Sequence, residues 1–129
     1  MRSLKILVVD DDPINLMLIS KIIAASQHNC HGVSNALDAF EVLSDKSYDI
    51  VVMDIEMPGT DGFEASKFIR KIKNSYFQSI PIVAMTAHKV EDVSKKVFSS
   101  GMNGIVSKPL NKAYFFELLT SLCTENFSR

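Results

Sequence analysis

The sequence predicts an α/β fold, a single parallel sheet covered by helices on both faces, and three observations predict it. Strand and helix signals alternate along all 129 residues as five β-then-α units, with no repeat, low-complexity tract or linker between them. The apolar run Ile6-Leu7-Val8-Val9 is continuous rather than alternating, as expected of a strand buried on both faces. The polar residues that need an explanation fall at the carboxyl ends of the strands, where such folds build their sites.

The elements follow in order. Strand one covers about 5–9 and runs into Asp10-Asp11-Asp12. Asp12 offers an N-cap and Pro13 a first-turn proline for a helix to about 25. Strand two is weak, near 30–33. Ser34 is expected to cap a second helix to about 43, with Ala36, Phe40 and Leu43 on one face. Residues 49–53 form strand three, ended by Asp54, and Pro58-Gly59 with Asp61-Gly62 mark a turn-rich loop. A third helix reaches about 73. Strand four spans 80–85 and ends at Thr86; a fourth helix covers 90–100, with Gly101 as its C-terminal cap. Strand five, 104–107, ends at Lys108-Pro109, and Asn111 caps a last helix to about 122.

Composition removes several classes of function. The chain is 47% hydrophobic and 22% charged with a net charge of -1, which fits one globular domain and gives no basic field for nucleic acid. The apolar runs are too short to span a bilayer, so no direct membrane contact is expected. The N-terminus lacks the apolar core of a signal peptide, which predicts a cytoplasmic protein. Cys30 and Cys123 read as separate reduced thiols. His28, Cys30 and His31 match no metal-ligand spacing and read as an ordinary strand-edge cluster.

A buried strand that ends in acids delivers charge to the rim of a core, where it is costly unless offset. Asp10, Asp11 and Asp54 would form a three-carboxylate cluster that calls for a cation. An all-oxygen donor set with room for water suits Mg²⁺ rather than Zn²⁺. Lys108 adds a positive charge and Thr86 a hydroxyl, so the set can hold the oxygens of a phosphoryl group while one carboxylate attacks phosphorus. Asp54 is the natural nucleophile, on a central strand; Asp10 and Asp11 are better placed as metal ligands. Taken singly, each residue is more simply a cap, a turn residue or a solvated loop. Asp12 is read as a cap and no part of the site.

Val8-Val9-Asp10-Asp11, Val52-Met53-Asp54-Ile55-Glu56-Met57-Pro58, Asp61-Gly62, Met85-Thr86-Ala87 and Ser107-Lys108-Pro109 together resemble the receiver domain of two-component response regulators, over nearly the full chain. The resemblance implies a flavodoxin-like (βα)5 sandwich with strand order 2-1-3-4-5, a receiver unit over 1–123 and a short tail over 124–129. It implies a phosphoacceptor signalling domain, not an enzyme in its own right, in which Asp54 takes phosphate from a histidine kinase or a histidine phosphotransfer protein. Asp11, Asp54 and the backbone carbonyl of Glu56 would bind Mg²⁺ directly and Asp10 through water. Lys108 would contact the phosphoryl group, and its bond to Pro109 would be cis. Asn15 resembles the Asn that many receivers of hybrid sensor kinases carry there. A weak homodimer is also allowed for.

The same resemblance makes Thr86 the switch residue, with a mobile aromatic expected three positions before Lys108. Ile105 stands there, which predicts a muted switch working through Thr86 and aliphatic packing. Glu56 and His88, two residues after Asp54 and Thr86, hold the positions expected to set phosphate lifetime. The first helix carries two apolar stripes, Leu16/Ile19/Ile23 and Ile14/Leu18/Ile22; one packs on the sheet, and Ile14 with Leu18 is either a donor-docking patch or simply more deeply buried. Tyr114 and Phe116, on either side of core-facing Phe115, raise the same question. Two other classes compete: a flavin-binding module, for which three acids after strand one would repel an unmetallated phosphate, and an Asp-nucleophile phosphatase, which wants an Asp where Glu56 stands. A phosphorylation-independent scaffold is a third. With no output domain expected after Leu122, the receiver could serve as a single-domain regulator, a relay intermediate or part of a hybrid kinase.

Overall fold

A computed structural model describes residues 2–127, with side chains for 2–123. Five strands, β1 (Lys5–Val9), β2 (Asn29–Val33), β3 (Ile50–Asp54), β4 (Ile82–Thr86) and β5 (Gly104–Ser107), form one sheet in the order β2-β1-β3-β4-β5. All neighbours pair in parallel. Six helices connect and flank them: α1 (Pro13–Ala25), α2 (Ala36–Asp45), α3 (Gly62–Lys71), α4 (Ser75–Ser79), α5 (Val90–Ser99) and α6 (Lys112–Phe127). The predicted sheet order is the observed one.

Side-chain alternation along each strand divides the core in two. Ile6, Val8, Ile50, Val52, Val83, Met85 and Val106 face one side, where Ile19 and Ile23 of α1 and Phe115, Leu119 and Cys123 of α6 cover them. Leu7, Val9, Val51, Met53, Ile82, Ala84 and Ile105 face the other, under α2, α3 and α5. The central strands β3 and β4 are buried at every position, which is why their sequences read as continuous apolar runs.

Four local readings change. Asn35, not Ser34, caps α2: its side chain accepts from the Asp38 N–H at 2.8 Å. Helix α3 ends at Lys71, and a separate turn of helix, α4, follows it. The Tyr76 hydroxyl holds α4 in place, accepting from the Tyr48 N–H at 2.7 Å, while Arg70 of α3 donates to the Phe77 carbonyl at 2.9 Å. Strand β4 begins at Ile82, after Pro81. Helix α6 continues past Leu122 to Phe127, so most of the segment expected as a tail is helical; residues 128–129 lie outside the described residues. Gly101 ends α5 as expected, at φ 89, a left-handed conformation that suits glycine.

Candidate functional site

The carboxyl edge of the sheet gathers residues from four strand ends. Asp10 follows β1, Asp54 is the last residue of β3, Thr86 the last of β4, and Lys108 follows β5. Among the described residues, Asp10, Asp11 and Asp54 are so placed that one oxygen of each lies within 4.8 Å of the others. Asp10 and Asp54 are buried and Asp11 is exposed. Asp12 stands apart and caps α1, accepting from the Ile14 N–H at 3.0 Å.

The Lys108 ammonium is the only positive side chain in contact with these acids among the described residues, 3.0 Å from Asp54 Oδ2 and 3.5 Å from Asp10 Oδ2. Burial holds the Asp54 carboxyl above its usual pKa, and the Asp10 charge adds to this, against opposing contributions from the Glu56 N–H and Lys108. Burial works against the Lys108 ammonium too, but its hydrogen bond to Asp54 and the charges of both acids outweigh it and raise its pKa. One ammonium among three carboxylates leaves a net deficit of positive charge, and two of the acids are out of water. That donor set, all oxygen and without Cys or His, fits a hard, partly hydrated cation such as Mg²⁺.

Asp10 is also held by neutral donors. Its Oδ1 accepts from the Asp12 N–H at 2.9 Å, and its Oδ2 accepts from the Asn15 side-chain amide. Asn15 thus has a contact that resemblance placed near the site but left without a partner. Spacing offers a signal for it: five residues after Asp10, in the first turn of α1, a side chain can reach back over the strand end.

The loop residues close a ring of contacts around Asp54. Glu56 N–H donates to Asp54 Oδ1 at 2.9 Å, and the Glu56 carboxylate meets His88 Nε2 at 2.9 Å. His88 N–H donates to Thr86 Oγ1 at 2.9 Å, and Thr86 O accepts from Lys108 N–H at 2.8 Å. Lys108 Nζ completes the circuit on Asp54. The Lys108-Pro109 peptide is cis, as expected. Ile105 lies two strand positions before Ser107 and is packed in the core on the α5 side.

Gly62 supports the site, a role that neither the turn signal nor the Asp61-Gly62 segment of the resemblance gave it. It is buried at the start of α3, and a Cβ there would lie 2.5 Å from the Asp54 carbonyl oxygen and 2.8 Å from Ile55 Cα. Helix α3 can therefore begin against the Asp54 backbone only because position 62 has no side chain.

On α1, Ile19 and Ile23 face the core, while Ile14 (66% exposed), Met17 and Leu18 face solvent. The stripe carrying Ile14 and Leu18 is thus an outward apolar strip beside Asn15; Ile22 is half-buried. Tyr114 is exposed on α6, and Phe116 is half-buried and stacks on the His28 ring.

The family model of the response regulator receiver domain matches residues 6–120. The chain belongs to the receiver domain family. Sensor protein GacS of Pseudomonas syringae pv. syringae is 33% identical over 112 residues, which cover 86% of this chain and 12% of GacS. Sensor histidine kinase RcsC of Salmonella typhimurium is 34% identical over 108 residues, 84% of this chain and 11% of RcsC. The chain therefore spans little more than a tenth of the length of these relatives. Among solved structures, the receiver domain of sensor histidine kinase PA1611 from Pseudomonas aeruginosa PAO1, which has a magnesium ion in its active-site cleft, matches at a TM-score of 0.85 and 25% identity, covering 95% of this chain and 99% of that one. Chemotaxis response regulator CheY4 of Vibrio cholerae matches in fold at a TM-score of 0.84 and 21% identity, covering 94% and 99%. This receiver domain is a two-component signalling module homologous to the receivers of hybrid sensor kinases. The flavin-binding and phosphatase alternatives are not favoured. No helix among the described residues is long and apolar enough to cross a membrane.

Proposed function

We propose that this receiver takes a phosphoryl group from a phosphohistidine onto Asp54. A carboxylate oxygen attacks phosphorus, an O–P bond forms, and the P–N bond breaks with its electron pair left on the imidazole nitrogen. The product is an aspartyl phosphate that a protein partner reads. The domain assists its own phosphorylation and dephosphorylation and turns over no other substrate. The observation that carries this reading is the position of Asp54: at the end of a central strand, within 4.8 Å of two further acids and 3.0 Å from an ammonium.

Asp11, Asp54 and the Glu56 carbonyl would hold Mg²⁺ directly. Asp10 would do so through water, which agrees with its oxygens already accepting from Asp12 N–H and Asn15. When bound, the ion supplies positive charge against the phosphoryl oxygens. Lys108 neutralises a further oxygen, and the Thr86 hydroxyl, whose oxygen accepts from His88 N–H, keeps its own proton to donate. Glu56 and His88, half-exposed and in contact, cover the approach of water and set the lifetime of the acyl phosphate. A histidine kinase or histidine phosphotransfer protein docks on the outward strip Ile14 and Leu18, a few residues from the site. The receiver unit is taken as 1–123.

Mass measurement after incubation with Mg²⁺ and a small acyl-phosphate donor tests the proposal. A gain of one phosphoryl group that disappears in Asp54→Ala supports it, and no gain in the native chain overturns it. Unchanged phosphotransfer from a protein donor in folded Ile14→Asp would remove the docking strip from the reading.

A further inference from the structure

We infer that the groove between α2 and α3 is a self-association surface, filled by a second copy of this chain about a two-fold axis running along the groove. Leu37, Phe40, Ser44, Phe68, Ile72 and Phe77 line it, and its volume is about 510 Å³. Leu37 is 75% and Phe68 51% exposed, and the Phe40 and Phe68 rings meet across the floor with centroids 4.5 Å apart. Two large apolar side chains this open, joined into one patch, mark an interaction surface rather than scattered exposure.

Charge identifies the occupant. Helix α2 bears Asp38, Glu41 and Asp45 on its exposed side and has no basic residue. Helix α3 bears Lys67 and Lys71 on its exposed side, with Glu64 in its first turn; its other base, Arg70, is turned inward onto Gly101, Phe77 and Asn103. The groove thus has an acidic rim and a basic rim. A two-fold axis along it lays α2 of one copy against α3 of the other at the same level. The Phe40–Phe68 contact sets that level: Glu41 adjoins Phe40, and Lys67 and Lys71 bracket Phe68, so the Glu41 of each copy meets the Lys67 and Lys71 rim of its partner. Among the described residues none of Glu41, Asp45, Lys67 or Lys71 has an ion-pair partner within the chain. The surface is self-complementary in charge and apolar at its centre, as a homodimer interface requires. It includes none of the Asp54 site residues nor the Ile14–Leu18 strip, so it stands whether or not the phosphotransfer reading does.

Sedimentation equilibrium over a micromolar to millimolar series, with circular dichroism to confirm folding, tests this. The native chain should show a concentration-dependent dimer, weakened by salt. Phe68→Glu should weaken it by at least about tenfold, as loss of a central anchor does, and Leu37→Asp, at a highly exposed position, gives a second apolar test with little risk to folding. Glu41→Lys and Lys71→Glu should each weaken it roughly severalfold, as rim charges do. A mixture of these two single variants should recover the dimer, because each then meets an opposite charge in the other copy; rearrangement within one chain cannot do this. A chain monomeric throughout the series overturns the inference, including one whose groove binds a different protein. So does a dimer indifferent to both apolar substitutions, or a mixture that fails to recover.

Discussion

Gly62→Ala separates the stability of the fold from the geometry of the site, and its size can be worked out from contacts. The new Cβ would lie 2.5 Å from the Asp54 carbonyl oxygen. Ordinary carbon–oxygen contacts begin near 3.3 Å, so the start of α3 and the end of β3 must part by about 0.8 Å. Neither side is a flexible side chain. The cost should therefore reach the upper end for overpacking, about 3 kcal/mol, offset by up to about 1 kcal/mol from replacing glycine in a helix. A net loss of about 2 kcal/mol, with an unfolding entropy of roughly 2.1 cal/mol/K per residue over 129 residues, lowers Tm by about 7 °C. The displaced backbone is that of Asp54 itself. A misplacement approaching 1 Å at a reacting group costs on the order of a hundredfold in rate, so Mg²⁺-dependent phosphoryl uptake, followed by mass, should fall by one to two orders of magnitude in the folded variant. Gly59→Ala is the control. Its φ of 78 strains alanine, but nothing lies within 4 Å of the new methyl, so Tm should fall by a few degrees with uptake unchanged. A Gly62→Ala protein with native uptake and a Tm within about 2 °C of native would refute the reasoning.

The charge balance gives a second test. Burial raises the Asp54 pKa above 3.8, so the native state binds this proton more tightly than the unfolded chain, and stability falls as pH rises through the interval from 3.8 to the raised value. Above that interval the deficit is constant; hence Asp54→Asn should have a higher Tm than the native chain at neutral pH in EDTA, and Mg²⁺ should raise the native Tm more than the variant's. An Asp54→Asn protein no more stable than native in EDTA would show that Lys108 already offsets the burial. Glu56→Ala and His88→Ala should each change the decay rate of the phosphorylated chain by severalfold and in the same direction, because the two side chains form one contact; decay rates equal to native would remove both from the lifetime argument. Ile105→Ala should leave phosphoryl uptake near native while destabilising the fold by about 2–5 kcal/mol, since Ile105 is a buried core residue. On phosphorylation, amide signals around Ile105 should shift little, and a large shift there would count against a muted switch.

The four strand-end site positions were legible because each follows an abrupt change from apolar to charged or hydroxyl residues: Val9 to Asp10, Met53 to Asp54, Met85 to Thr86 and Val106 to Ser107-Lys108; the strand order came from the resemblance that those segments carry. Features fixed by a single contact were not. Ser34 and Asn35 are both good caps, and the choice between them depends on which one can reach the Asp38 N–H. Helix α4 is five residues long, too short for periodicity, and is held by Tyr48 and Arg70 from other elements. The two stripes of α1 are equally apolar, and only its docking angle on the sheet decides that Ile19 and Ile23 turn inward and Ile14 outward. Gly62 reads as a turn glycine because its reason, the Asp54 carbonyl, is eight residues away in sequence.

The ring of contacts from Asp54 through Glu56, His88, Thr86 and Lys108 back to Asp54 bears on how a signal would leave this site without an aromatic at position 105. For the Thr86 hydroxyl to turn toward a phosphoryl group on Asp54, its oxygen must loosen or give up the His88 N–H. That moves the backbone at the start of the β4–α5 loop, and with it the His88 side chain that meets Glu56. Meanwhile Lys108, drawn to the same phosphoryl group, is tied through its own N–H to the Thr86 carbonyl, so the ends of β4 and β5 are pulled together rather than separately. None of these steps needs Ile105 to leave its place in the core, where displacing a buried aliphatic side chain would cost several kcal/mol. The displacement would then be concentrated at residues 86–90 and at the start of α5, and the partner that reads the phosphorylated state would be one that contacts that loop.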